Sequence, residues 1–181
     1  MLKKLEKIFM PAAEMIGRNK YLMSIRDGFL ISTPLLIAGS IFLVIANFPV
    51  QAWMDFLSAT IVNEATGETL ASMLNKPSDA TFTIMAIFAV MGIGHSFAKQ
   101  MKTNPIFGAA VALMSWFLLM PYRMTANVTI DDVSGVANVT GLSLGWLGAK
   151  GIFVGIICAF VSVHIYAWVE RKGWVIKMPE G

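Results

Sequence analysis

His95 and His164 are the two histidines of this 181-residue sequence, and both lie inside long apolar stretches. Burying an ionisable group among apolar neighbours is costly, so each is examined first for function. An imidazole there can relay a proton, or it can hydrogen-bond as a neutral group between helices. His95 stands beside Gly92, Gly94 and Ser96, and His164 lies in the last third of its stretch. The neutral, packed reading is the simpler one for both. Cys158 is the one cysteine, which excludes a disulfide framework and offers no metal-ligand pairing. It reads as a small buried hydrophobe. No Walker loop, zinc-ligand cluster, Ser/His/Asp arrangement or dinucleotide glycine motif occurs. No catalytic, substrate-binding, cofactor-binding or metal-binding residue is assigned, and no cofactor is expected.

The stretches that hold these residues are long enough to decide the class. Residues 28–48, 80–98, 106–122 and 151–169 are filled by Leu, Ile, Val, Ala, Phe and Met. A helix of about 20 residues spans the ~30 Å hydrocarbon core, so these stretches predict transmembrane helices, the third being short and needing its flanks. Composition agrees: 56% of residues are hydrophobic and 14% charged, and mean hydropathy is +0.68. The expected fold is an all-α polytopic membrane protein, with an amphipathic helix over 1–26 and about four transmembrane helices. No carboxylate lies in the core of any predicted span, which argues against a complete carrier coupled to protons or sodium.

The net charge of +3 brings nucleic acid to mind, but the basic residues flank the spans. Lys3, Lys4, Lys7, Arg18, Lys20, Arg26, Lys99, Lys102, Arg171, Lys172 and Lys177 fall on one side, eleven in all. Lys76, Arg123 and Lys150 fall on the other, with Asp55, Glu64, Glu68, Asp79, Asp131 and Asp132. The positive-inside rule then places both ends in the cytoplasm and loops 49–79 and 121–150 outside.

Within 1–26, Leu2, Leu5, Phe9, Ala12 and Ile16 recur at helical spacing opposite lysines, as in a helix lying on the inner leaflet. A cleaved signal peptide is rejected because the apolar run starts late and is too long. Ser32, Thr33 and Pro34 predict a static kink in the first span. Asn104 and Pro105 read as a cap and first position for the third span, which Pro121 closes. Gly151, Gly155 and Ala159 recur every four residues, a small-residue face for close helix contact. Trp53, Trp146, Trp168 and Trp174 fall near predicted interfaces and read as anchors. Ala126-Asn127-Val128-Thr129 and Ala137-Asn138-Val139-Thr140 repeat a tetrapeptide around Asp131, Asp132, Ser134 and Gly135, which predicts an exposed hairpin. Leu142 to Gly148 reads as an apolar segment dipping into the outer interface.

Several of these segments resemble a known family. Ile25-Arg26-Asp27-Gly28-Phe29 with Thr33-Pro34-Leu35-Leu36-Ile37-Ala38-Gly39-Ser40, Leu147-Gly148-Ala149-Lys150-Gly151-Ile152-Phe153, and Glu170-Arg171-Lys172-Gly173-Trp174-Val175-Ile176-Lys177-Met178-Pro179 are similar to segments of one group. That group is the enzyme IIC permeases of the bacterial phosphoenolpyruvate-dependent sugar phosphotransferase system (PTS), lactose/cellobiose/chitobiose branch. The resemblance is to the N-terminal part and covers nearly the whole sequence.

The resemblance implies a permease of the bacterial plasma membrane that takes in a β-linked disaccharide while its hydroxyl is phosphorylated by a phosphocysteine on a soluble IIB partner, itself served by IIA. It implies contact with membrane lipid, a homodimer built through the N-terminal helices, and no nucleic-acid partner. The family's sugar-binding His and Glu, in Phe-Gly-Ile-His-Gly-type and Asn-Glu-Pro-type motifs, belong to a later half. Neither His95 nor His164 matches those motifs, so 1–181 is expected to be the scaffold and dimer-forming portion, without the sugar site. The competing expectation is a stand-alone four-helix membrane scaffold without transport activity.

Overall fold

The computed structural model describes residues 17–130 and 133–174. Most of the leader expected over 1–26, the Asp131-Asp132 turn and the closing Val-Ile-Lys-Met-Pro run lie outside the described residues. The elements in chain order are α1 (Lys20–Ala46), α2 (Gln51–Ala59), β1 (Ile61–Asn63), β2 (Glu68–Thr69) and α3 (Leu70–Ser78). A π-type turn (Asp79–Thr83) leads to α4 (Met85–Gln100), then α5 (Pro105–Leu118), β3 (Arg123–Ile130), β4 (Val133–Thr140), α6 (Leu144–Leu147) and α7 (Ala149–Arg171). The all-α membrane class is observed: Lys20–Ala46, Leu70–Gln100 and Ala149–Arg171 are long and apolar enough to cross a bilayer. At 14 residues α5 is about 21 Å long, shorter than a hydrocarbon core.

Caps move several boundaries away from the sequence expectation. The Asn19 side chain accepts from the Tyr21 amide (3.0 Å), so residues 20–26 belong to α1 and not to a separate leader. The second long helix starts ten residues before the expected 80–98, because Thr69 caps it by accepting from the Ser72 amide (3.3 Å). Pro77 lacks a backbone donor, yet the chain continues through it into the π-type turn, where Thr81 Oγ1 donates to the carbonyls of Pro77 (3.1 Å) and Ser78 (2.9 Å). Asn104 caps α5 as its sequence predicts, accepting from the amides of Ile106 (3.0 Å) and Phe107 (3.4 Å) with Pro105 at the first position.

Small residues set the helix packing. The buried residues of α1 are Ser24, Gly28, Ser32, Gly39 and Ala46, and its larger side chains stay outside or only partly covered. A Cβ on Gly28 or Gly92 would run into the opposing backbone, and one on Gly39 would overlap Thr81. These pairings, 28 with 92 and 39 with 81, make α1 and the α3–α4 helix antiparallel in close contact. Helix α5 returns antiparallel to α4, with Gly94 against Ala112 and Gly108 against Ala98. Helix α7 runs parallel to α4: Gly155 meets Val90, and His164 meets Phe97. The start of α1, the α4–α5 turn and the end of α7 therefore share one end of the bundle.

The small-residue face expected in 151–169 is buried, and the structure supplies its partners. Gly155 faces Val90 of α4 and Trp116 of α5, Gly151 packs under Trp116 and the Trp146 backbone, and Ala159 is fully covered. The expected hairpin is present and runs in register from Arg123↔Thr140 to Ile130↔Val133, pairing Ala126 with Ala137 across the tetrapeptide repeat. Leu142 to Gly148 contains the single-turn α6, which buries Leu147. Helix α2 and the β1–β2 pair had no counterpart in the sequence reading.

Candidate functional site

His95 sits half-buried on α4 and lines an open cleft of about 380 Å³ between α1, α4 and α5. Ile31, Ser32 and Leu35 come from α1, Phe88, Met91 and Gly92 from α4, and Ala109 from α5. The glycine contact at 28 and 92 pins α1 against α4 beside the cleft. Its polar groups are the imidazole and the Ser32 hydroxyl, and that hydroxyl already donates to the Gly28 carbonyl (3.4 Å). A polyhydroxylated ligand needs several converging polar side chains, so the cleft is equipped for an apolar occupant.

His164 occupies different surroundings. Its ring stacks on Tyr21 of α1 (centroids 6.0 Å apart) and leans on Phe97 of α4 (5.2 Å). Tyr21 also meets Phe97 (5.3 Å) and Phe160 (5.1 Å), so the four rings tie α1, α4 and α7 together. The Nδ1 lies 3.2 Å from the Phe160 carbonyl oxygen, an acceptor, so a hydrogen bond between them is donated by Nδ1. The two histidines share no lining residue and form no common site.

Cys158 is buried in α7, and among the described residues no cluster of His, Cys, Asp and Glu could hold a metal ion. Of the carboxylates inside the long helices, Asp27 is paired with Arg26 (2.7 Å), Asp79 is exposed in the π-type turn, and Glu170 stands one residue before the end of α7. Of the tryptophans read as anchors, Trp53 Nε1 donates to the Ile45 carbonyl (2.8 Å), and Trp168 and Trp174 meet edge to face (5.4 Å). Trp116, which the sequence reading passed over, is 1% exposed and donates from Nε1 to the Gly151 carbonyl (3.1 Å). Standing two residues before the end of α5, it carries no sequence signal that separates a core indole from an interfacial one.

The family model described as Phosphotransferase system, EIIC matches residues 26–181. The oligo-beta-mannoside-specific EIIC component of the PTS of Bacillus subtilis (strain 168) is 38% identical over 181 residues, covering 100% of this chain and 38% of the relative. The cellobiose-specific EIIC component of Geobacillus stearothermophilus is 35% identical over 185 residues, covering 99% of this chain and 39% of the relative. Among solved structures, the transporter ChbC, the IIC component of an N,N'-diacetylchitobiose-specific phosphotransferase system, superposes with a TM-score of 0.81 at 32% identity. That likeness covers 97% of this chain and 39% of the other. The chain thus spans about two fifths of the length of the proteins it matches.

Proposed function

Because this chain belongs to the PTS EIIC family, in its lactose/cellobiose/chitobiose branch, we propose that it is the scaffold portion of a permease that moves a β-linked disaccharide across a bacterial plasma membrane. The observation that carries this reading is the likeness to ChbC over 97% of the chain. In this reading the sugar is phosphorylated by a soluble IIB partner, charged in turn by IIA, as it reaches the cytoplasm. The polar groups that grip the sugar lie in the part of the permease that this chain does not span. Its own helices contribute a packed four-helix unit. Leu30, Ile37, Ile41 and Val44 of α1 are exposed apolar surface, suited to lipid, to the rest of a permease or to a second copy in a homodimer.

The scaffold reading predicts that titrating the purified 181-residue chain with cellobiose or chitobiose gives no saturable signal. A complete permease containing this segment should bind one of them and yield phosphosugar when supplied with phosphorylated IIB. Saturable binding to the segment that vanishes in His95→Ala would overturn the scaffold reading and make the α1/α4/α5 cleft a sugar site.

The bundle end formed by the start of α1, the α4–α5 turn and the end of α7 is assigned to the cytoplasm, with residues 49–79 and 121–150 outside. Support comes from the eleven-to-three division of basic residues in the sequence, and the packing brings the described Arg18, Lys20, Arg26, Lys99, Lys102, Arg171 and Lys172 towards one end. In intact cells, with Cys158 replaced, a cysteine at Asn19 is expected to resist an impermeant thiol reagent and one at Ser134 to react. The reverse pattern would invert the topology.

A further inference from the structure

Two cations from opposite ends of the sequence converge on Met101, the residue that closes α4. Lys20 Nζ reaches from α1 to within 3.5 Å of Met101 Sδ, above the rings of Tyr21 (5.2 Å) and Phe97 (5.9 Å). Arg171 Nη2 donates from the end of α7 to the Met101 carbonyl (3.0 Å). The ion pairs among the described residues are Arg26 with Asp27 and Lys76 with Glu68, so neither of these cations meets a carboxylate there. The neighbouring Glu170 has one oxygen buried without a hydrogen bond among the described residues and pairs with neither. An ammonium carries three donors and a guanidinium five, while a thioether accepts weakly, so most of this donor capacity is unspent.

The turn itself adds a third charge at a backbone cost. Lys102 has φ 59°, the left-handed region, and the Thr103 amide closes the turn on the Ala98 carbonyl (3.0 Å). Glycine is the usual residue in that helix-ending position, and a side chain there is strained. A lysine stands where glycine would fold more easily, its side chain exposed at the same bundle end. Exposed Trp168 and Trp174 pack together at this end, as indoles do at headgroup depth.

We propose that Lys20, Lys102 and Arg171 form a binding site for the phosphate of an anionic phospholipid at this end of the bundle. Basic pockets between helices on the cytoplasmic side are the expected place for such a headgroup. The unpaired donors supply the charge complementarity for such a headgroup. The inference rests on the membrane reading above but not on transport.

The test is thermal unfolding of the 181-residue chain in nanodiscs of phosphatidylcholine alone and of phosphatidylcholine with phosphatidylglycerol. Phosphatidylglycerol should raise the midpoint. The gain should disappear in the double variant Lys20→Gln/Arg171→Gln and persist in Lys76→Gln/Arg123→Gln at the other end. Should the first double variant not fold, Lys102→Gly serves instead. It should raise the midpoint in phosphatidylcholine while shrinking the phosphatidylglycerol gain. A gain left intact by these substitutions, or lost equally at the other end, overturns the site. So does inorganic phosphate reproducing the whole gain in phosphatidylcholine discs, which would identify a free-anion site. A chain that enters neither bilayer defeats the membrane reading as well.

Discussion

Gly92→Leu is expected to separate α1 from α4 and leave little folded protein. A Cβ at this position meets the Gly28 carbonyl oxygen, its carbon and its Cα, all main-chain atoms inside a helix, so no side-chain rotation can relieve the overlap. Overpacking a well-filled contact costs about 1–3 kcal/mol when neighbours can shift, and a rigid backbone puts the loss at the top of that range or beyond. Gly92→Ala makes the same clash with less bulk. Alanine favours the helix by about 1 kcal/mol over glycine, too little to offset lost contact along the α1 seam. Ile37→Leu, on an α1 side chain 56% exposed, should leave the midpoint nearly unchanged. The comparison is made by thermal unfolding in detergent, and equal midpoints for Gly92→Leu and Ile37→Leu would remove the glycine crossing from the account of stability.

Trp116→Ala carries the second large effect, an expected loss of about 3–5 kcal/mol. The indole is 1% exposed and fills the space that Gly151 and Gly155 leave on α7. Its removal opens a void among α4, α5 and α7, and it frees the Gly151 carbonyl from its hydrogen bond. Trp116→Phe keeps most of the volume and forfeits the bond, so it should cost about 1 kcal/mol more than the packing change alone. Denaturant unfolding of the two variants separates the contributions. If phenylalanine proves as damaging as alanine, the hydrogen bond and not the filled volume is what α7 depends on.

Much of the helix layout follows from local signals. Asn104-Pro105 announces the start of α5 because an amide side chain satisfies free helix amides and proline fits the first turn. The tetrapeptide repeat announces the β3–β4 hairpin because β-prone residues flank turn formers. The start of the second long helix was harder to read: Lys76-Pro77-Ser78-Asp79 looks like a loop, yet the backbone passes through it by a π-type turn whose Thr81 packs against Gly39. Tertiary contact overrode a local breaker there.

For the candidate sites, the sequence told which groups could titrate but not what they face. His95 and His164 look alike as solitary histidines in apolar runs. The fold lays one along an open cleft and stacks the other among Tyr21, Phe97 and Phe160. The gathering of Lys20, Lys102 and Arg171 at one turn was equally out of reach, since it needs α1, α4 and α7 in register.

By itself the sequence determined that this is an apolar helical chain with a lopsided distribution of basic charge, because hydropathy and charge are sums over neighbouring residues. Tertiary structure decided which glycines are contacts, that Trp116 is core, and which cations meet. Those outcomes depend on helix pairing across tens of residues, where the close approach of two backbones is set by both partners at once.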